Sequence, residues 1–294
     1  MEQFEIINGK CTIPVGVETI EPYAFKGNTT LVEITIPRTV HFIGMHAFDG
    51  CSSLEKIVLP QSVTYIDSNA FENCQSLKSI NIPERITEIY SSLFRNCSSL
   101  EEIYIPDGVK RIGRHAFSGC SNLSAIRLPA SLEELESEED GEIFDGCNLD
   151  VITIHSANAS YSVDGNCLLS GDGTTLIRGC NDSVIPKNVR EIGPNAFSGC
   201  TRLEGIVISD NVDTIWERSF MGCTSLKSIV IPKTVKEIHE FAFSGCTSLI
   251  DIIIEDREST KFSPFNTFEG CPNAKRDGLY DNIFDRLRNC GEKD

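Results

Sequence analysis

Apolar residues recur along this chain with a period of 23, restarting at Cys51, Cys74 and Cys97. With the Leu three residues after each Cys taken as position 0, apolar residues fall at positions 0, 3, 5, 9, 12, 16, 17 and 20. The stretch from Leu54 through Ile57, Leu59, Val63, Ile66, Ala70 and Phe71 to Cys74 shows the whole set, and Leu77 to Cys97 and Leu100 to Cys120 repeat it without a slip. A unit repeated this regularly identifies a solenoid, whose neighbouring turns supply one another's core.

Alternation of apolar and polar residues at positions 3, 4 and 5 predicts a strand with one face buried and one wet. Proline at position 6 ends that strand in eight turns, at residues 14, 37, 60, 83, 106, 129, 186 and 232, because it lacks the N–H that a longer ladder would need. Glycine at position 13, as in Gly44, Gly113 and Gly193, predicts a turn with positive φ. The Ala-Phe pair that follows predicts a short 3₁₀ turn carrying a stacked aromatic ring inward. A single turn cannot fold alone: about six large apolar side chains at roughly 2 kcal/mol each do not offset roughly 1–2 kcal/mol of backbone entropy per residue. Stacking must supply the remainder.

Three interruptions break the period. Between Leu135 and Ile143 four extra residues enter an acidic stretch, Glu133 to Glu142, which reads as a solvated loop because it lacks the alternating ligands of a calcium loop. From Ser156 to Ser183, apolar runs flank Ser170-Gly171-Asp172-Gly173-Thr174, a hairpin signal; with Leu169 opposite Leu176, Cys167 is expected to face Arg178. Asp256 to Asn266 is a degenerate last turn, after which Leu279, Tyr280, Ile283, Phe284 and Leu287 recur at helical spacing. That helix would cap one end of the core, and Phe4, Ile6 and Ile7 would form an edge strand at the other. The expected fold is an α/β right-handed solenoid of about ten 23-residue turns, with a parallel sheet on one face, short 3₁₀ turns opposite and a C-terminal capping helix. It is expected as one domain over 1–294: repeats at 1–155, the hairpin interruption at 156–183, further repeats at 184–272 and the cap at 273–294.

Composition narrows the chemistry. A formal charge of -17 argues against nucleic acid, whose phosphates such a surface would repel. No apolar run approaches the roughly 18 residues that read as a membrane span. The first residues, Met1 to Glu5, carry no basic or apolar leader, so a cytoplasmic location is expected if the chain is complete, and a surface or secreted one if a leader was removed. Nine of the 13 cysteines share position 20 of the repeat, which makes them buried packing residues rather than a disulfide framework; Cys11, Cys167, Cys180 and Cys290 lie outside that row. The five histidines, 41, 46, 115, 155 and 239, show no zinc-ligand spacing with Cys or carboxylates. With no phosphate loop and no nucleophile elbow, neither an enzyme nor a cofactor site is expected.

Leu-x-x-Ile-x-Ile at the head of each unit resembles a leucine-rich repeat, with Pro-x-x-Val-x-x-Ile-Gly-x-x-Ala-Phe-x-x-Cys in place of the usual continuation. That continuation is similar to the BspA-like family of leucine-rich repeat proteins. The resemblance covers nearly the whole chain, and Asp164-Gly165-Asn166-Cys167-Leu168-Leu169 is similar to a hairpin insert common in the family. It implies a binding module, since the better-known members are surface proteins that bind extracellular-matrix proteins or other cells, and it identifies no catalytic residues.

The strand alternation then selects a candidate surface. If positions 3 and 5 face the core, position 4 faces solvent, and the row includes Tyr104, Arg127, Thr153, Val207, Val230 and Ile253. Tyr and Arg are enriched at interface hot spots, and contiguous exposed aliphatic residues mark partner sites. The expected partner is a protein, with a glycan or a second copy of the chain as further occupants. Tyr90, Trp216 and Phe241 on the outer turns form a rival aromatic surface. The alternative function is an intracellular protein-interaction scaffold of the same build.

Overall fold

A computed structural model of the chain describes residues 4–136, 142–263 and 266–274. It consists of two units, 1–163 and 164–294, whose division falls inside the predicted hairpin interruption. Each unit is a β-solenoid of parallel strands.

In the first unit, the predicted edge strand is Ile6–Ile7, which pairs antiparallel with Lys10–Thr12. From there the sheet grows by parallel strands at Glu33–Thr35, Lys56–Ile57, Ser79–Asn81, Glu102–Tyr104, Ala125–Leu128 and Val151–Ile154. The register holds the repeat phase: Cys11 pairs with Ile34, Ile34 with Ile57, Ile57 with Ile80 and Ile80 with Ile103. A second row of strands, only two residues each, lies at positions 11 and 12: Thr19–Ile20, Phe42–Ile43, Tyr65–Ile66, Glu88–Ile89, Arg111–Ile112 and Glu134–Leu135. Sequence alternation does not reveal such strands, because two residues are too few to show a period.

The third side corrects two expectations. The predicted 3₁₀ turns are instead chains of overlapping β-turns, and among the described residues one 3₁₀ segment occurs, Glu142–Phe144. In the second turn the Ala47, Asp49 and Cys51 amides donate to the carbonyls of Gly44, His46 and Phe48 at 3.1, 3.2 and 3.0 Å. The alternate amides of His46, Phe48 and Gly50 point outward and donate to Ser68, Ala70 and Glu72 of the next turn at 3.2, 2.8 and 2.8 Å. A 3₁₀ helix would spend every amide within the turn; here half of them bind one turn to the next. Positive φ at His46 and Gly50, 56° and 75°, breaks the helical run. Gly44 itself does not have positive φ, contrary to the sequence reading. A Cβ there would lie 2.5 Å from the Pro22 nitrogen, and one on Gly113 would lie 2.6 Å from the Ser91 nitrogen, so glycine at position 13 allows close approach of the preceding turn.

Inside, Phe25, Phe48, Phe71, Phe94, Phe117 and Phe144 form a continuous stack with centroids 5.1 to 5.9 Å apart, and Phe4 covers its first ring at 5.5 Å. The acidic interruption does not break the stack: Phe117 and Phe144 are 5.8 Å apart, and the Phe117 amide reaches the Ile143 carbonyl at 3.0 Å. The predicted cysteine row is a ladder of buried free thiols. Each of Cys51, Cys74, Cys97, Cys120 and Cys147 donates its S–H to the Phe carbonyl of the preceding turn, at 3.0 to 3.2 Å.

In the second unit, strands Cys167–Ser170 and Thr175–Arg178 form the predicted hairpin, with Leu169 opposite Leu176. A register shift follows, so Leu168 and not Cys167 faces Arg178. Arg178 is 1 % exposed, and its guanidinium donates to the Asn195 and Ser198 carbonyls at 3.1 and 3.0 Å. Gly179 lies flat against Phe197, where a Cβ would come within 2.0 Å of the ring. Parallel strands Glu191–Ile192, Thr214–Ile215, Glu237–Ile238 and Lys261–Phe262 continue from the hairpin, while Ser228–Ile231 and Asp251–Ile254 pair on the other row. Phe197, Phe220, Phe243 and Phe268 stack at 5.0 to 5.4 Å. The predicted capping helix, 273–294, lies outside the described residues from 275 onward.

Candidate interaction surface

Because positions 3 and 5 are committed to the core, position 4 is held outward by backbone pleating alone. In the first unit Asn81, Tyr104, Arg127 and Thr153 are successive partners across adjacent strands, so the sheet aligns three of the predicted residues, Tyr104, Arg127 and Thr153, side by side. Tyr104 is 49 % exposed, and Arg127 and Thr153 are also exposed. Asn81 turns back instead: its side-chain amide donates to the Leu59 carbonyl and accepts from the Leu59 amide, both at 2.8 Å. That bidentate contact takes the place of a ladder step beside Val58, which remains open to solvent.

In the second unit Val230 pairs with Ile253 across neighbouring strands, and Val207 occupies the same position one turn earlier at 84 % exposure. The row also contains Val184, 71 % exposed, which sequence reasoning missed. The hairpin hides it by displacing the head of that repeat; the signal was Ile185-Pro186, positions 5 and 6, which places Val184 at position 4. The two faces therefore differ: mixed aromatic, cationic and hydroxyl in one unit, aliphatic throughout in the other.

Several charges beside these rows are paired within the chain. Lys10 and Glu33 bridge at 2.7 Å, as do Lys227 and Glu204. Within the described part of the acidic interruption, Glu133 meets Lys110 at 2.9 Å, and Glu134 and Glu136 both meet Arg111, which also lies 3.9 Å from Glu88. The rival aromatic surface is half-buried: Tyr90 packs on Tyr65 at 5.0 Å, while Trp216 stacks on His239 at 4.4 Å and donates to Glu191 at 3.0 Å. Phe241 is half-buried too.

Chemistry-bearing groups are occupied by structure. Burial pushes the Cys51 thiol up to about 12 and the Cys167 thiol up to about 11, and holds Cys97 well above its ordinary value, so these sulfurs are protonated and poor nucleophiles at neutral pH. Folding does bring together three groups that their sequence spacing did not suggest as a metal set, His46, Asp49 and Glu72, with potential ligand atoms within 4.8 Å of one another. Their oxygens are already engaged. Asp49 lies 3.0 Å from each of Lys26, His46 and Asn73, and Glu72 accepts from Asn69 at 2.8 Å and faces Arg95 at 3.6 Å. Burial pushes the Asp49 carboxyl up, but hydrogen bonds from Asn73, Lys26 and His46 and the charge of Lys26 outweigh it, leaving it below its ordinary value. This is a saturated cluster that ties turns together.

Among the described residues no helix is long and apolar enough to cross a membrane. The comparison with curated proteins returns no match. Among solved structures, a leucine-rich cell-surface protein from Faecalibacterium prausnitzii is 30 % identical, with a TM-score of 0.60, over 85 % of this chain and 80 % of that one. The pneumococcal vaccine antigen PcpA is 24 % identical at TM-score 0.65, and a leucine-rich repeat protein from Eubacterium ventriosum 21 % identical at 0.61. Each aligns with 91 % of this chain, which spans 61 % and 65 % of their own lengths and shares their fold. The profile for the BspA type leucine rich repeat region, in six copies, matches residues 8–109, 87–168 and 178–283. The repeat phase, the outward strand rows and this match together place the chain in the BspA-type leucine-rich repeat family.

Proposed function

We propose that this chain is a non-enzymatic binding module of the adhesion kind, presenting its strand faces to a protein partner. The observation that carries the reading is the outward row in which Tyr104, Arg127 and Thr153 stand on adjacent strands with no structural task in the core. Residues that fold the turn are inward; those at position 4, Asn81 apart, are spared by the pleat and available for recognition. The cell-surface description of the relative from Faecalibacterium prausnitzii supports an extracellular partner. The protonated thiols and saturated carboxylates support the absence of catalysis.

The test is binding of the purified chain to a panel of immobilised extracellular-matrix proteins and to whole cells. Tyr104→Ala combined with Arg127→Ala should weaken any specific binding at least about tenfold, the scale of one hot spot, with an unchanged melting curve. Binding that survives both substitutions would place the contact elsewhere.

A further inference from the structure

The aliphatic row of the second unit is flanked by charges, and those on its position-7 side include three that its own chain leaves without an ion pair among the described residues. Counting across each strand, position 7 reads Lys187, Asp210, Lys233 and Asp256, and position 1 reads Asn181, Glu204, Lys227 and Ile250. Lys187, Asp210 and Lys233 are exposed, and among the described residues none of their side chains has an ion-pair partner. The sign alternates from turn to turn along the position-7 rim, while the position-1 rim holds one opposite pair, Glu204 and Lys227, bridged within the chain at 2.7 Å. Between the rims stand Val184, Val207, Val230 and Ile253 at 71, 84, 44 and 56 % exposure.

An alternating rim is complementary to itself when reversed. Consider a second copy laid face to face, related by a two-fold axis parallel to the strands and passing between Val207 and Val230. Each row then runs against itself, so Val184 meets Ile253 of the second copy and Val207 meets Val230. Lys187 meets Asp256, Asp210 meets Lys233 and Glu204 meets Lys227, each pair occurring twice by symmetry. Asp182 opposes Asp251, a like-charge contact beside the row. The other axis available to facing sheets, along the row itself, would oppose Glu204 to Asp210 and Lys227 to Lys233. Charge therefore selects one of the two arrangements.

We propose that this face docks a second copy of the chain in the first of these arrangements, through Val184, Val207, Val230 and Ile253, with register set by Asp210 and Lys233. The proposal rests on the strand face being an interaction surface and adds the identity of one occupant. Four turns at about 4.8 Å and seven positions at about 3.3 Å give a footprint of roughly 400 Å² per copy. That is about half of a standard interface, so the dimer is weak and concentration-dependent.

Sedimentation over about 1 µM to 1 mM tests it. The wild-type chain should shift from monomer to dimer within that range. Asp210→Lys and Lys233→Asp should each weaken self-association at least about tenfold, since each opposes like charges twice. The double variant should recover it. Mixed in equal amounts, the two single variants should form a heterodimer, because Lys at 210 then faces Asp at 233 and Lys233 faces Asp210. A wild-type chain that stays monomeric to about 1 mM overturns the proposal, as does a double variant or mixture that fails to associate although its melting curve is unchanged. Neither outcome touches matrix binding through Tyr104 and Arg127, so the two readings fail separately.

Discussion

Replacing Phe220 with Ala tests the packing that every turn depends on. The ring is fully buried and lies between Phe197 at 5.0 Å and Phe243 at 5.1 Å, within 2° and 3° of parallel. Its own carbonyl accepts the Cys246 thiol at 3.1 Å, and its amide reaches Ala242 at 2.7 Å, so the backbone on both sides is tied and cannot collapse far into the space left behind. A Phe→Ala change at a site that relaxes poorly costs about 3–5 kcal/mol, including two ring contacts worth about 0.5–1.5 kcal/mol each. With a urea slope of about 2 kcal/mol/M, the midpoint should fall by roughly 2 M. The assay is built in: Trp216, the one tryptophan of the chain, sits four residues away in the same turn, stacked on His239. Its fluorescence reports the same unit. Val207→Ala at an 84 % exposed site is the control and should move the midpoint by less than about 0.3 M, since such surface changes stay within about 0.5 kcal/mol. Equal shifts for the two variants would refute the assignment of inside and outside.

Three further outcomes are expected. Asp172 accepts hydrogen bonds from the Ser170 hydroxyl and from the Thr174 amide and hydroxyl, which lower its carboxyl to about 2. Its contribution is therefore present above the ordinary carboxylate value and lost as pH falls toward 2, and Asp172→Asn should flatten the decline of urea midpoints between about pH 4 and 2. The buried thiols, raised by desolvation, should not react with a disulfide reagent in the native protein and should all react in urea; native reaction of Cys51 or Cys97 would contradict their burial. Gly44→Ala should destabilise by about 2–3 kcal/mol, because its Cβ meets the Pro22 backbone at 2.5 Å. Gly27→Ala, at φ 72° with open space around it, should cost only about 1 kcal/mol of backbone strain, and thermal melts of the pair would show whether close approach or positive φ governs.

What the sequence determined by itself is the phase of the repeat and everything that follows from phase. The buried Leu, Ile, Phe and Cys positions, the outward position 4 and the proline that ends each strand are readable because every turn repeats the same environment about ten times over. Leu169 opposite Leu176 is readable too, since a short hairpin loop limits the register. Contacts that depend on the path between phase markers required the folded chain. The β-turn arc looks helical in sequence because Ala-Phe suits either form, and it is inter-turn hydrogen bonding by alternate amides, such as His46 to Ser68, that decides. Gly44 is explained only by the Pro22 backbone 22 residues earlier. The register shift at Leu168, the convergence of His46, Asp49 and Glu72, and the continuation of the aliphatic row to Val184 depend in the same way on which turn lies beside which. Periodicity fixes the direction in which a side chain points; only stacking fixes what it meets.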